Sequence, residues 1–363
     1  MKKLLIVSDR FFPKRNGLVR FLEEIVPKLQ DTFDISILAP RLSRKTKTFP
    51  GVQTILIPTY RFMLADYSPS KLNFRAVREA VKKSDIVWLQ SLGTLGVMAL
   101  HYAKSFQKKV CIYSHCKDWE VVEKAPQIPK WIHKIVVYLA TKNMIRFYRN
   151  CDLLMLPSEE LRKDLERMRI DTPKKIIPLG VDQKKFKPGK KKKKKSLTLG
   201  YSGRISNEKD LLTLYKAYNN LKSNYDLNFT IIGDGPDEQK KIFRQNGVKI
   251  TGFVPDVENY LCDIDIFVSP SLTETTGLST LEAMSCGLPV LSTSVGAMRK
   301  LIRPDYNGIF FRKKDVKELT ARLKRLITDN KLREKIGKNA RKSISGFSWD
   351  KTAEEIKESL ASL

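Results

Sequence analysis

Short apolar, β-prone runs alternate along this chain with stretches whose apolar residues recur every three or four positions. Leu4–Ser8 is the first such run, and Leu18, Phe21, Leu22, Ile25, Val26 and Leu29 then fall at helical spacing. Strand-like runs follow at Ile35–Ala39, Thr54–Pro58, Ile86–Leu89, Val110–Ser114 and Leu153–Leu156, with helical stretches between several of them. Apolar strands alternating with helices predict a parallel sheet covered on both faces. In such sheets ligands sit at the carboxyl ends of the strands. The alternation pauses at Leu179–Lys195, where Gly180, Pro188 and Gly189 precede an unbroken lysine run, Lys190–Lys195. Such a run repels itself and reads as a solvated linker. The pattern then restarts with strands at Thr198–Tyr201, Phe229–Ile232, Lys249–Phe253, Ile264–Ser269 and Pro289–Ser292. Helices are expected at Asp210–Leu221, Asp237–Gln245, Leu278–Ser285, Val316–Thr328 and Lys331–Ser343. The reading is α/β: two doubly wound, Rossmann-like domains, residues 1–180 and 196–345, facing a central cleft and joined by a linker at 181–195. A last helix within 346–363 has no docking place that the sequence fixes.

Composition narrows the class. The length of 363 residues suits two domains at roughly 150 residues each. A hydrophobic content of 42% excludes bulk disorder, and no run reaches the ~18 apolar residues of a membrane span. The apolar run after Met1 ends at Ser8-Asp9, too soon for a signal peptide. The five cysteines are odd in number and contain no C-x-x-C, so neither a disulfide framework nor a zinc site is expected and a cytoplasmic setting follows. Charge changes the picture more. Residues 1–180 carry 33 basic and 17 acidic side chains, residues 181–195 nine and one, and residues 196–363 26 and 21, for a net +29. That field attracts phosphate, whether on a nucleotide, a nucleic acid or an anionic bilayer.

Four loops of the second half carry candidate chemistry. In Tyr201-Ser-Gly203-Arg204-Ile-Ser-Asn-Glu-Lys209 a strand ends at a glycine and two cations follow. Arg204 can fork onto phosphate oxygens and Lys209 adds a point charge; alone, the segment also suits a turn with two solvated cations. Gly233-Asp-Gly-Pro236 and Thr251-Gly-Phe253-Val254-Pro255 each follow a strand, and each is weak alone. The fourth runs from Ser269 to Pro289. Glu274 lies in a loop after a strand, Gly277 and Leu278 open the next helix, and Glu282 lies inside it. The helix start favours an anion, flanked by two carboxylates able to accept from sugar hydroxyls. Asp263-Ile-Asp265 has the spacing of a metal-binding D-x-D but precedes a buried strand, so no metal site is expected. His115, like any lone histidine after an apolar strand, reads first as structural; His101 and His133 carry no further signal.

In this order the residues resemble the retaining, nucleotide-sugar-dependent glycosyltransferases of the large group 4 class, which have the two-domain GT-B fold. The resemblance runs from Phe12-Pro-x-x-x-Gly17 through His115 and Ile177-Pro-Leu-Gly-Val-Asp182, with Phe186 and Pro188, to the four loops above. It implies that Arg204 and Lys209 hold the donor diphosphate, with backbone N–H groups of Gly277 and Leu278. Glu282 would accept from the ribose hydroxyls, Glu274 from the transferred sugar, and Phe253 and Val254 would border the base. Gly203 and Gly233 belong to the donor loops, Gly17 would let the first loop approach the donor, and His115 would contact the sugar near the reacting carbon. Such enzymes need no metal or cofactor beyond the nucleotide sugar, for which UDP-hexose is the expectation. Asn16-Gly17 departs from the double glycine of many relatives, and Asn tolerates unusual φ.

The acceptor is less legible. Lys130–Arg149 has five basic and no acidic residues together with Trp131, Tyr138, Phe147 and Tyr148, a composition suited to an anionic bilayer or to a partly buried helix with basic decoration. Glu274-Thr-Thr-Gly277 resembles members that build glycolipids. A membrane-lipid acceptor at the cytoplasmic face is therefore expected, with a soluble sugar or growing polysaccharide as the alternative. A nucleic-acid partner is not expected, because no recognition module appears. A dinucleotide oxidoreductase is excluded by the lack of G-x-G-x-x-G after the first strand.

Overall fold

The computed structural model describes residues 1–14, 16–43, 46–61, 67–119, 130–189 (side chains from 133 in the helix that begins at 130), 195–245 and 247–363. The chain divides into two compact units, residues 1–178 with 349–363, and residues 179–348.

The first unit is built on a seven-stranded, all-parallel sheet. Its strands are β1 (Lys2–Val7), β2 (Phe33–Arg41), β3 (Gln53–Pro58), β4 (Ile86–Leu89), β5 (Lys109–Tyr113), β6 (Leu153–Leu156) and β7 (Lys174–Ile176), in the order β3-β2-β1-β4-β5-β6-β7. Leu4–Val7 and Ile86–Leu89 are buried at every position, as central strands covered on both faces must be. Helix α1 (Gly17–Leu29) buries Leu18, Val19, Phe21, Leu22, Ile25, Val26 and Leu29 along one stripe. Asn16 caps it, its side chain accepting from Val19 N at 3.0 Å. Its φ is −144°, ordinary extended backbone; the asparagine is there to cap rather than to adopt unusual φ. Helices α2 (Phe74–Lys82), α3 (Thr94–Ser105), α4 (Lys130–Arg149) and α5 (Glu159–Arg167) complete the alternation.

The second unit has a six-stranded parallel sheet, β8 (Leu197–Ser202), β9 (Leu227–Ile232), β10 (Lys249–Ile250), β11 (Ile266–Ser269), β12 (Val290–Thr293) and β13 (Ile309–Phe311), ordered β10-β9-β8-β11-β12-β13. Between them lie α6 (Leu211–Lys222), α7 (Asp237–Arg244), α8 (Val257–Leu261), α9 (Leu278–Ser285) and α10 (Met298–Leu301), followed by α11 (Val316–Thr328) and α12 (Asn330–Ser343). The strand expected over Lys249–Phe253 stops at Ile250, because Gly252 turns the backbone (φ +70°) into an isolated antiparallel bridge with Gly233.

The expected linker at 181–195 needs correction over its first nine residues. Val181 and Phe186 are 2% and 1% exposed and pack with Leu281, Met284 and Phe267. The Phe186 carbonyl accepts from Ser285 Oγ at 2.5 Å. Burying an aromatic ring outweighed the local lysine and proline content. Residues 190–194 of the lysine run lie outside the described residues, as does the Trp131 side chain. The final helix, α13 (Trp349–Ala361), belongs to the first unit. It packs on α1, with ion pairs Lys28–Asp350 (2.5 Å) and Lys357–Asp31 (2.7 Å).

Candidate active site

Strand order reverses once in each sheet, between β8 and β11 in the second unit and between β1 and β4 in the first. Loops leaving the carboxyl ends of such neighbouring strands diverge to opposite faces and leave a crevice there.

In the second unit these are the loops that hold the candidate cations and carboxylates. Tyr201, 2% exposed, donates its hydroxyl to the Arg204 carbonyl at 3.0 Å and so fixes the turn after β8. Gly233 approaches this turn so closely that a Cβ there would lie 1.9 Å from the Gly203 carbonyl oxygen; only hydrogen fits. Lys209 ends a short 3₁₀ turn (Asn207–Lys209), and its ammonium meets Glu274 Oε2 at 2.5 Å. Leu272 N donates to the Glu208 carbonyl at 2.8 Å, stitching the β8 and β11 loops together. Gly277, in the left-handed region (φ 72°, ψ 51°), turns the β11 loop into α9; a Cβ would lie 2.8 Å from Met298 Cε. The first N–H groups of α9 have no intrahelical acceptors. Glu282, 5% exposed, sits in the same helix. Arg204 is the more exposed cation, its side chain 54% exposed beside Glu208 at 3.3 Å. Phe253, 59% exposed, and half-buried Val254 follow the Gly233–Gly252 bridge. Asp265 of the D-x-D accepts from Thr198 N at 2.9 Å, a strand-register contact.

The corresponding edge of the first unit is built differently. Asp9, 3% exposed, follows β1. It accepts from Leu95 N (2.9 Å), Gly96 N (3.3 Å) and Ser91 Oγ (3.0 Å), supplying the cap that Gly93 at the start of α3 lacks. Burial pushes its carboxyl above the usual range against these bonds. Beyond β5, His115 Nε2 is 2.9 Å from Gln90 Oε1. The ring meets Phe21 edge-on at 4.8 Å and Tyr113 at 4.8 Å. Burial, then the Arg10 charge, takes the imidazole down to about 3, so it is neutral at physiological pH. Asp118, on the same loop, accepts from Tyr148 Oη at 2.5 Å. Lys117 anchors the loop to α5 through Glu160 (2.8 Å) and Asp164 (2.7 Å). Gly17 opens α1 and places Phe21 one turn later against His115.

The family model for glycosyl transferases group 1 matches residues 182–343, and that for glycosyltransferase family 4 matches residues 15–185. The chain belongs to glycosyltransferase family 4. It is thus an enzyme that transfers a glycosyl group. A sulfoquinovosyl transferase of Arabidopsis thaliana is 28% identical over 310 residues, 79% of this chain and 58% of that protein's length. The UDP-Gal:alpha-D-GlcNAc-diphosphoundecaprenol alpha-1,3-galactosyltransferase of Escherichia coli is 25% identical over 384 residues, 98% of this chain and 96% of that one. The alpha-monoglucosyldiacylglycerol synthase of Acholeplasma laidlawii is 25% identical over 380 residues, 94% and 92%. Among solved structures, Anabaena HepE in complex with UDP and glucose matches with a TM-score of 0.78 over 100% of both chains at 17% identity. The two Rossmann-like units are those of the GT-B fold.

In this glycosyltransferase Arg204, Lys209, Glu274, Gly277, Leu278 and Glu282 gather at the carboxyl edge of one sheet, with Gly203, Gly233, Phe253 and Val254 on adjoining loops. Gly17 and His115 belong to the other unit. Sequence reasoning passed over Tyr201 and Glu208, although both lie inside the quoted loop. It also missed Asp9 and Gln90, each a polar residue just past the end of a fully buried strand run, which was the available signal.

Proposed function

We propose that this enzyme transfers a hexose from a nucleotide sugar, UDP-hexose, to a membrane lipid at the cytoplasmic face, with retention of anomeric configuration. The carrying observation is the second unit's switch point, where Arg204, the Lys209–Glu274 pair and the start of α9 share one sheet edge. Breaking the anomeric C–O bond places negative charge on the leaving diphosphate. Arg204, Lys209 and the N–H groups after Gly277 stabilise that charge where it develops. They take the part a divalent cation plays elsewhere, and no metal or cofactor is required. Glu282 accepts from the ribose hydroxyls, Glu274 from the sugar, and Phe253 and Val254 border the base. The acceptor hydroxyl attacks from the face the diphosphate leaves, and the departing oxygen takes its proton. His115 contacts the sugar near the reacting carbon.

The lipid acceptor draws support from the names of the diphosphoundecaprenol- and diacylglycerol-directed relatives. It also draws on α4. Met144, Phe147 and Tyr148 in its second half are buried, whereas Ile135 (53%), Val136 (40%), Tyr138 (64%) and Leu139 (51%) in its first half are exposed beside Lys134 and Lys142. An apolar, basic, solvent-facing turn of this kind suits an anionic headgroup layer. Among the described residues no helix is long and apolar enough to cross a membrane. The test is a product assay pairing a panel of nucleotide sugars with diacylglycerol-based, polyprenyl-linked and soluble acceptors, with and without EDTA. EDTA-resistant transfer of a UDP-hexose to a lipid is expected. Transfer to soluble sugars alone would overturn the acceptor, and strict Mn²⁺ dependence would overturn the metal-free mechanism.

A further inference from the structure

We propose that Gln90 is the positioning residue of His115, fixing its imidazole as the Nε2–H tautomer with Nδ1 unprotonated; the functional half of this proposal rests on the role given to His115 above. Gln90 directly follows β4 and is 2% exposed, its backbone N–H held by the Val7 carbonyl at 2.9 Å. Its backbone is therefore held between two central strands, β1 and β4. Its Oε1 lies 2.9 Å from His115 Nε2. An amide oxygen only accepts, so the imidazole must donate, and a neutral ring with a proton on Nε2 carries none on Nδ1.

Among the described residues Gln90 Nε2 is buried and unbonded, which costs stability for a neutral donor. A leucine would fill the same space without that cost. The amide's one bond goes to His115, which is where its use lies.

A glutamine rather than a carboxylate is the chemically consistent partner. Arg10 is the charged group that acts on the ring; Phe21 from α1 and Tyr113 from β5 pack on it, and the Tyr113 hydroxyl is engaged with the Ile177 carbonyl at 2.7 Å. Burial and the Arg10 charge both oppose protonation, so the imidazole stays uncharged. A carboxylate at position 90 would draw a proton onto it. During transfer the anomeric carbon gains positive charge, and an imidazolium beside it would oppose that change. A neutral ring with one defined donor and one defined lone pair orients a sugar hydroxyl without adding a cation.

The chain has three histidines, His101, His115 and His133, so ¹⁵N imidazole NMR on the full-length protein resolves each ring. We expect His115 as the Nε2–H tautomer, unprotonated at pH 5, while Gln90→Leu loses the fixed tautomer and lowers kcat by roughly 10–100-fold, the scale on which metal-ligating histidines depend on their outer hydrogen-bond partners, with donor KM little changed. Gln90→Glu should raise the His115 titration and add an acid limb to the pH–rate profile. An Nδ1–H tautomer in the unaltered protein, or a folded Gln90→Leu with unchanged tautomer and kcat, overturns the proposal. Unimpaired turnover in His115→Ala would instead remove His115 from the reaction while leaving the tautomer assignment to stand on the NMR.

Discussion

The two sheet edges share a topology and differ in their chemistry. At the second unit's edge Arg204 is more than half exposed and Lys209 pairs with Glu274. At the first unit's edge, Asp9 is committed to backbone N–H groups and His115 is neutral and boxed by aromatics. A doubly wound sheet provides the place; the side chains at its switch point decide whether it presents exposed cations or holds buried polar groups rigidly.

That contrast can be broken in order of effect. Arg204→Ala should lower kcat/KM by about 10²–10³, the usual cost of one electrostatic donor at a developing anion, with an unchanged circular dichroism spectrum; near-normal turnover would remove the charge from the mechanism. Gly277→Ala forces a side chain into the left-handed region and towards Met298, and should cost roughly 1–3 kcal/mol of stability in a denaturant melt. His115 separates the edges through pH. Its folded value, near 3, lies below the 6.5 of a free imidazole. As pH falls below about 6.5, the unfolded chain gains a proton that the folded one refuses, so stability falls. The limiting slope is about 1.4 kcal/mol per pH unit for one proton, and His115→Gln should remove it between pH 6 and 5. If the slope is unchanged in that variant, the ring is charged and the contrast fails. Smallest, a double-mutant cycle of Lys209→Met and Glu274→Gln should return a coupling of about 1 kcal/mol for this partly buried pair; zero coupling would mean that the two side chains do not hold one another.

Much of the fold was legible because a buried parallel strand is a local apolar run and its helices repeat every three or four residues. Two strands escaped, β7 (Lys-Lys-Ile) and β13, three residues each and both sheet edges. Edge strands are kept short and often charged to discourage further pairing, so they lack that signature. Phe186 was hidden for the opposite reason: a single ring decides the packing of residues 181–189, while the surrounding lysines dominate the pattern. The second unit's candidate residues could be named from the sequence because each loop carries its chemistry within a few residues; in the first unit only Gly17 and His115 could be. Asp9 meets Ser91 and Leu95, and Gln90 meets His115, across separations that only the strand order closes. The docking of α13 is likewise a property of the α1 surface that receives it.

That docking imposes an order on synthesis. The first 178 residues leave the ribosome well before Trp349–Ala361 does, yet these belong to one compact unit. Until then Lys28 and Asp31 of the N-terminal region wait for Asp350 and Lys357, and Phe21, whose ring supports His115, waits for Trp349 at 6.4 Å. The intervening unit, residues 179–348, has all of its residues before the first unit has its last helix.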